Sequence, residues 1–137
     1  MIALDASALV DWLIGSSPSG ERVAERMREA SRWHALDLTM IEVASALRRQ
    51  VRLERLPEPR GRLLLGTLMR APIRRHRVLP YLPRVWDLRN VHSTYDAAHV
   101  ALAEALRVPL LTTDRRLARS RGHRAKILDL SASRPDA

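Results

Sequence analysis

Apolar residues at positions 2–4 run into Asp5, and positions 6–14 then carry helical composition before the breaker GSSPSG. That order predicts a strand, a helix and a loop. From Ser19 onward, Val23, Met27 and Ala30 recur at three- and four-residue spacing, with Glu21, Glu25 and Glu29 set among arginines. This is the pattern of a surface amphipathic helix. Positions 34–38 read as a short strand, after which Ile41, Ala44, Leu47 and Val51 mark one stripe of a longer helix that Pro57 and Pro59 are expected to end. Positions 61–70 are again helix-like. The stretch between Pro72 and Pro80 alternates imperfectly and is read as a third strand, positions 81–90 as helical, and 90–94 as a loop. Positions 95–107 carry Ala98, Leu102, Ala105 and Leu106 on one side and give the clearest helix signal. A strand at 109–112, a short basic helix at 114–121 stopped by Gly122, and a last strand at 127–130 complete the reading.

Strands alternating with helices imply a mostly parallel sheet of about five strands covered on both faces, a three-layer α/β/α domain. The 137 residues suit one domain, expected at 1–130, with 131–137 as a flexible C-terminal tail. Trp12, Trp33, Leu63 to Leu65 and Leu68 are expected in the core or at an interface, since phenylalanine is absent.

Composition narrows the setting. No apolar run approaches the roughly 18 residues of a membrane span, and the first residues lack the basic start of a signal peptide. The absence of cysteine removes disulfides and thiolate metal sites, so a cytoplasmic protein with no membrane association is expected. Twenty-four basic against 15 acidic residues give a net charge of +9, which favours a polyanionic partner. Lys126 is the only lysine, so nearly all of that charge is guanidinium, the group suited to bidentate phosphate contacts.

Ligands of open α/β sheets bind outside the carboxyl ends of the strands, where the strand order reverses. Four acids stand just after strands: Asp5, Glu42 in the helix after the second strand, Asp96 in TYDAAH, and Asp114 after LLTT. Each has an ordinary explanation as well. Asp5 and Asp114 occupy N-cap positions, Thr39 to Glu42 spells a capping box, and Ser93 to Asp96 comes close to one. Yet the topology that explains four caps also brings four carboxylates to one sheet edge. Two unit charges about 5 Å apart repel by about 3 kcal/mol at an effective dielectric near 20, so such a gathering needs countercharge. Arginines and helix N-termini supply part of it, and a hard divalent cation such as Mg²⁺ or Mn²⁺ supplies more. An acidic cleft in a basic protein suits phosphodiester cleavage, with arginines holding the backbone.

The segments DASALVDWL at Asp5, TMIEVASALRR around Glu42, YDAAHVALAEAL from Tyr95 and LLTTDRRLAR from Leu110 resemble the four acidic motifs of the PIN domain, in particular the VapC-type toxins of bacterial toxin–antitoxin pairs. The order and spacing fit along essentially the whole chain. The resemblance implies a Mg²⁺- or Mn²⁺-dependent endoribonuclease in which Asp5, Glu42, Asp96 and Asp114 bind metal. Thr112 matches a hydroxyl residue that supports the last acid, and Ser7 is a weaker candidate for such a role. It further implies homodimers, an antitoxin whose C-terminal segment fills a groove beside the site, and structured RNA such as tRNA or ribosomal RNA as substrate. His99 stands where relatives often place tyrosine; it either touches substrate or a water in the site, or replaces the tyrosine's bulk in packing, the reading favoured here. Arg115 and Arg116 beyond Asp114, and Arg89 before the 90–94 loop, are candidate phosphate contacts.

Two other classes compete. A receiver domain expects adjacent acids after the first strand, an aspartate after the third and a lysine ending the fifth, none of which this chain has. A non-catalytic RNA-binding or scaffold protein of the same fold would not need all four acids.

Overall fold

A computed structural model of the chain describes residues 1–131. It is built on a five-stranded, wholly parallel sheet in the order β3-β2-β1-β4-β5, with β1 at Ile2–Leu4, β2 at Trp33–Leu36, β3 at Ile73–His76, β4 at Leu110–Thr112 and β5 at Ile127–Asp129. Helices α1 (Ala6–Ile14), α2 (Pro18–Glu29), α3 (Asp37–Arg52) and α4 (Glu58–Arg70) cover one face. A 3-10 turn at Leu79–Tyr81 leads into α5 (Leu82–Asp87), which with α6 (Thr94–Leu106) and α7 (Arg115–Ala118) covers the other.

Strand periodicity builds these two cores. Successive side chains point to opposite faces, so Ile2 and Leu4 of β1 pack under α1 to α4 while Ala3 faces α6. In β4, Leu111 and Leu110 divide in the same way. Helix α6 is buried over Ala97 to Ala103, and its alanines let it lie close against the sheet. Trp12 and Trp33 meet edge to face at 5.8 Å, with the Trp33 indole donating to the Met27 carbonyl at 2.7 Å. Leu64 and Leu68 are core, whereas Leu63 lies on the solvent side of α4.

Several boundaries differ from the sequence reading for local reasons. Pro57 and Pro59 do not end α3, which stops at Arg52. They open α4 instead, because a proline in the first turn forfeits no intrahelical bond. Helix α2 starts at Pro18, capped by Ser17, whose Oγ accepts from Gly20 N at 3.1 Å. A Cβ on Gly20 would overlap the Asp11 carbonyl, so the tight α1–α2 corner requires glycine there. Thr39 does not cap α3. Strand β2 runs through Leu36 and the helix begins at Asp37 without a side-chain cap, leaving Thr39 buried in the first turn. Helix α7 is a single turn and does not reach Arg121.

Ser131, expected in the tail, is tied down: Arg22 donates to its carbonyl and to that of Leu130, and Arg115 Nε donates to its Oγ at 3.2 Å. The rest of the expected tail, 132–137, lies outside the described residues.

Candidate active site

The chain order reverses between β1 and β4, so the C-terminal ends of these neighbours form the topological switch point at which open sheets bind ligands. Asp5 leaves β1 there and caps α1, accepting from Ala8 N at 2.8 Å through Oδ1. Its remaining partners come from both sides of the crevice. Ser7 Oγ donates to Oδ1 at 2.7 Å, and Thr112 Oγ1 at the end of β4 donates to Oδ2 at 2.5 Å. The same two hydroxyls accept from the next turn of chain: Thr113 N donates to Ser7 Oγ at 3.0 Å and Asp114 N to Thr112 Oγ1 at 3.0 Å. Ser7 and Thr112 thus clamp Asp5 to the turn that carries Asp114. The Asp114 carboxylate caps α7, accepting from Arg116 N at 2.9 Å.

Asp5 is 4% exposed. Burial pushes its carboxyl above the ordinary value, and the nearby His99 charge and the hydrogen bonds from Thr112, Ala8 and Ser7 offset that only in part. The other acids arrive from α3 and α6. Glu42 sits in the second turn of α3. Asp96 sits in the first turn of α6, its backbone N–H donating to the Ser93 cap at 3.2 Å, which is one half of the expected capping box.

His99 joins these elements. Its ring, 2% exposed, places Nε2 2.8 Å from Glu42 Oε1. Because a carboxylate only accepts, Nε2 carries the proton. Burial works against a charged ring here, but the hydrogen bond to Glu42 and the fields of Asp5, Glu42 and Asp96 outweigh it and hold the His99 pKa above the ordinary value. His99 is therefore more than the bulk of a replaced tyrosine. It links α6 to Glu42 of α3 by a hydrogen bond and lies within the electrostatic reach of Asp5 and Asp96.

The arginines divide. Arg115 turns toward the end of β5, donating to Ser131 Oγ and lying near Asp129. Arg89 lies 4.8 Å over the Trp86 ring and donates to the Trp86 carbonyl at 3.0 Å. Arg116 is exposed beside Asp114. Three other arginines on α3, namely Arg48, Arg49 and Arg52, line a groove with Glu42 and Tyr95. The sequence reading missed them; the signal that could have found them is their place about one and a half to three turns beyond Glu42 on the same helix.

Among the described residues, no three Asp, Glu or His side chains stand closely enough to hold a metal ion between them as they lie. The donor set nevertheless suits a hard divalent cation. It offers carboxylate oxygens, and Asp5 is a carboxyl that burial pushes toward neutrality, so a cation beside it would favour the charged form. Ions of that kind keep several waters and take one or two carboxylates directly, so a closed cage is not required.

Residues 2–122 match the PIN domain family. Ribonuclease VapC12 of Mycobacterium tuberculosis is 40% identical over 127 residues, 93% of this chain and 97% of the relative, and Ribonuclease VapC1 of the same species is 39% identical over 87% of this chain and 90% of the relative. Among solved structures, the sarcin–ricin loop cleaving toxin VapC20 of M. tuberculosis superposes with a TM-score of 0.68 at 12% identity, over 86% of this chain and 93% of that one. VapBC2 of Rickettsia felis, bound to a DNA fragment from its promoter, superposes with a TM-score of 0.66 at 12% identity over 94% and 98%. The structural likenesses carry the fold and the sequence matches carry the family: the chain belongs to the PIN domain family, among its VapC-type ribonucleases.

Proposed function

We propose that this protein is a divalent-metal-dependent endoribonuclease and the toxin of a toxin–antitoxin pair. The observation that carries the reading is the buried Asp5 at the switch point, tied through Ser7 and Thr112 to the turn that carries Asp114, with Glu42 hydrogen-bonded to His99 of the helix that carries Asp96. A carboxylate cluster at a strand-end crevice, in a chain of net charge +9, suits a polyanion that must be both held and hydrolysed.

In this reading Asp5, Asp96, Asp114 and Glu42 hold Mg²⁺ or Mn²⁺. When bound, the cation supplies the charge that draws a phosphate into the acidic crevice and lowers the pKa of the attacking water. The chain's own residues do the rest. Ser7 and Thr112 fix the Asp5 carboxylate, His99 fixes Glu42, and the helix N-termini at Asp5, Asp96 and Asp114 bring positive dipole ends to the crevice. The proposal extends to a tRNA- or ribosomal-RNA-class substrate, a homodimer, a cognate antitoxin and a cytoplasmic location. No helix among the described residues is long and apolar enough to cross a membrane.

The test compares wild type with Asp5→Asn and Asp96→Asn for RNA cleavage, with Mg²⁺, with Mn²⁺ and with EDTA. Metal-dependent cleavage by wild type and loss in both variants is expected. Equal rates in all three proteins, or indifference to EDTA, would show the acids to be something other than a catalytic centre.

A further inference from the structure

Helix α3 carries a row of guanidinium groups away from the acidic crevice. Arg49 follows Glu42 by seven positions, about two turns, and stands nearly above it; Arg48 and Arg52, six and ten positions on, flank that line, and all three border the same groove. At 1.5 Å of rise per residue they extend about 9 to 15 Å from Glu42. With Glu42, Ile41 and Tyr95 they line an open groove of about 820 Å³ in which Glu42 is the sole acid. None of the ion pairs among the described residues involves these three arginines. Tyr95 stands at the head of α6 next to Asp96, and 56% of its surface is open to solvent.

We propose that this groove is the track for a single-stranded RNA segment, with Arg48, Arg49 and Arg52 on successive phosphates and the Tyr95 ring as a stacking surface for an unpaired base. Guanidinium groups without acidic partners make a poor seat for an apolar peptide and a good one for phosphate oxygens. A basic row ending at an exposed aromatic ring is the arrangement by which proteins hold single strands, and stacking requires a base that is not already paired. The inference rests on the ribonuclease reading for its direction, since the strand runs toward Glu42, but RNA binding in the groove is measurable without cleavage.

The experiment uses the full chain in EDTA and a fluorescein-labelled, unstructured RNA of about 12 nucleotides, followed by anisotropy at several salt concentrations. Arg49→Glu with Arg52→Glu is compared with an equal charge change on α2, Arg26→Glu with Arg28→Glu. The groove pair is expected to weaken binding about tenfold or more and to flatten the logarithmic salt dependence by about 0.7 for each phosphate no longer held. Tyr95→Ala is expected to weaken binding at least about fivefold with an unchanged salt slope. Circular dichroism confirms that each variant is folded, and Arg49→Gln with Arg52→Gln repeats the test with a milder change. Equal weakening by the α2 pair would reduce the effect to net charge and overturn the proposal. So would wild-type affinity in the groove variants. Groove-specific binding supports the track even if no metal elicits cleavage, a result that would sink the ribonuclease reading alone.

Discussion

The hydroxyl of Thr112 donates to the carboxylate of Asp5 at 2.5 Å across 107 residues of sequence, fully buried, at the seam where β1 and β4 run side by side. The contact couples the two halves of the fold at the point where ligands are expected. Replacing Thr112 with valine keeps the shape, leaves Asp5 Oδ2 without this donor and leaves Asp114 N without its acceptor. Cleavage is expected to fall about 10- to 100-fold, as is typical when a residue that orients a metal-binding carboxylate is removed. Stability is expected to fall by about 1–2 kcal/mol. Thr112→Ser restores the donor and should recover most of the rate. Steady-state cleavage and thermal melts of both variants check this, and equal rates for valine and serine would remove Thr112 from the site.

Asp5→Asn is expected to abolish cleavage while making the metal-free protein more stable at neutral pH. Asparagine caps a helix as well as aspartate does. The folded-state pKa of Asp5 is raised above its ordinary 3.8 by burial, so its charged form costs stability as pH climbs through that raised value. The variant's advantage should therefore be full above the folded-state pKa and vanish below 3.8. Melting curves across that range measure the gap. A variant less stable than wild type at pH 7 contradicts this account of the buried carboxylate. Adding Mn²⁺ should raise the melting temperature of wild type more than that of the variant.

His99 titrates in the opposite sense. His99 is held above its ordinary 6.5, so its contribution to stability is complete below 6.5 and is lost as pH rises through the folded-state value. Wild type should thus lose melting temperature on the alkaline side of 6.5, and His99→Gln, which still donates to Glu42 but cannot charge, should lose that component. His99→Phe removes the donor as well and is expected to cut cleavage about 10-fold or more beyond the glutamine variant. Parallel pH profiles for wild type and His99→Gln would show the ring to be uncharged throughout.

The central strands were legible in the sequence because β1 and β4 are short apolar runs bounded by polar residues, and both are recovered to within a residue, whereas β3, Ile73–His76, carries two arginines and a histidine and gave a weak signal. Asp5, Asp96 and Asp114 were legible for the same reason, since the boundary that defines the strand or helix also defines the acid. What stayed hidden was relational. Nothing local in His99 announces that it will meet Glu42 across 57 residues, because two helices on opposite faces of the sheet meet only after the sheet has ordered them. Thr39 misled because it satisfies a capping pattern three residues inside a helix that needs no cap. For Arg115 and Arg89, sequence adjacency to a site says little about direction: one donates to Ser131 and the other lies on Trp86.

Away from the crevice, Glu104 of α6 is hydrogen-bonded both to Arg84 of α5 and to the chain at residue 124. Its carboxylate takes a two-pronged contact from Arg84, at 2.8 and 3.0 Å, and a third bond at 3.0 Å from Arg124 N. The Glu104 side chain is 8% exposed and that of Arg84 30%. Burial by itself would raise the Glu104 pKa, but the Arg84 hydrogen bonds, the Arg124 backbone donor and the two guanidinium charges prevail and hold it below its ordinary 4.5. A depressed carboxyl stabilises the fold above 4.5 and loses that contribution as pH falls through the lower folded-state value. Glu104→Gln keeps an acceptor for Arg124 N and gives up the charge, leaving Arg84 partly buried without its partner. The expected cost at pH 7 is about 2 kcal/mol, less than for a fully buried pair because Arg84 retains some solvent. For a domain of this size that is a fall of about 6 to 10 °C in melting temperature. The difference from wild type should narrow steadily below pH 4.5, while specific RNA cleavage per folded molecule stays unchanged. A gap that persists undiminished in acid would mean that packing, not charge, makes Glu104 matter.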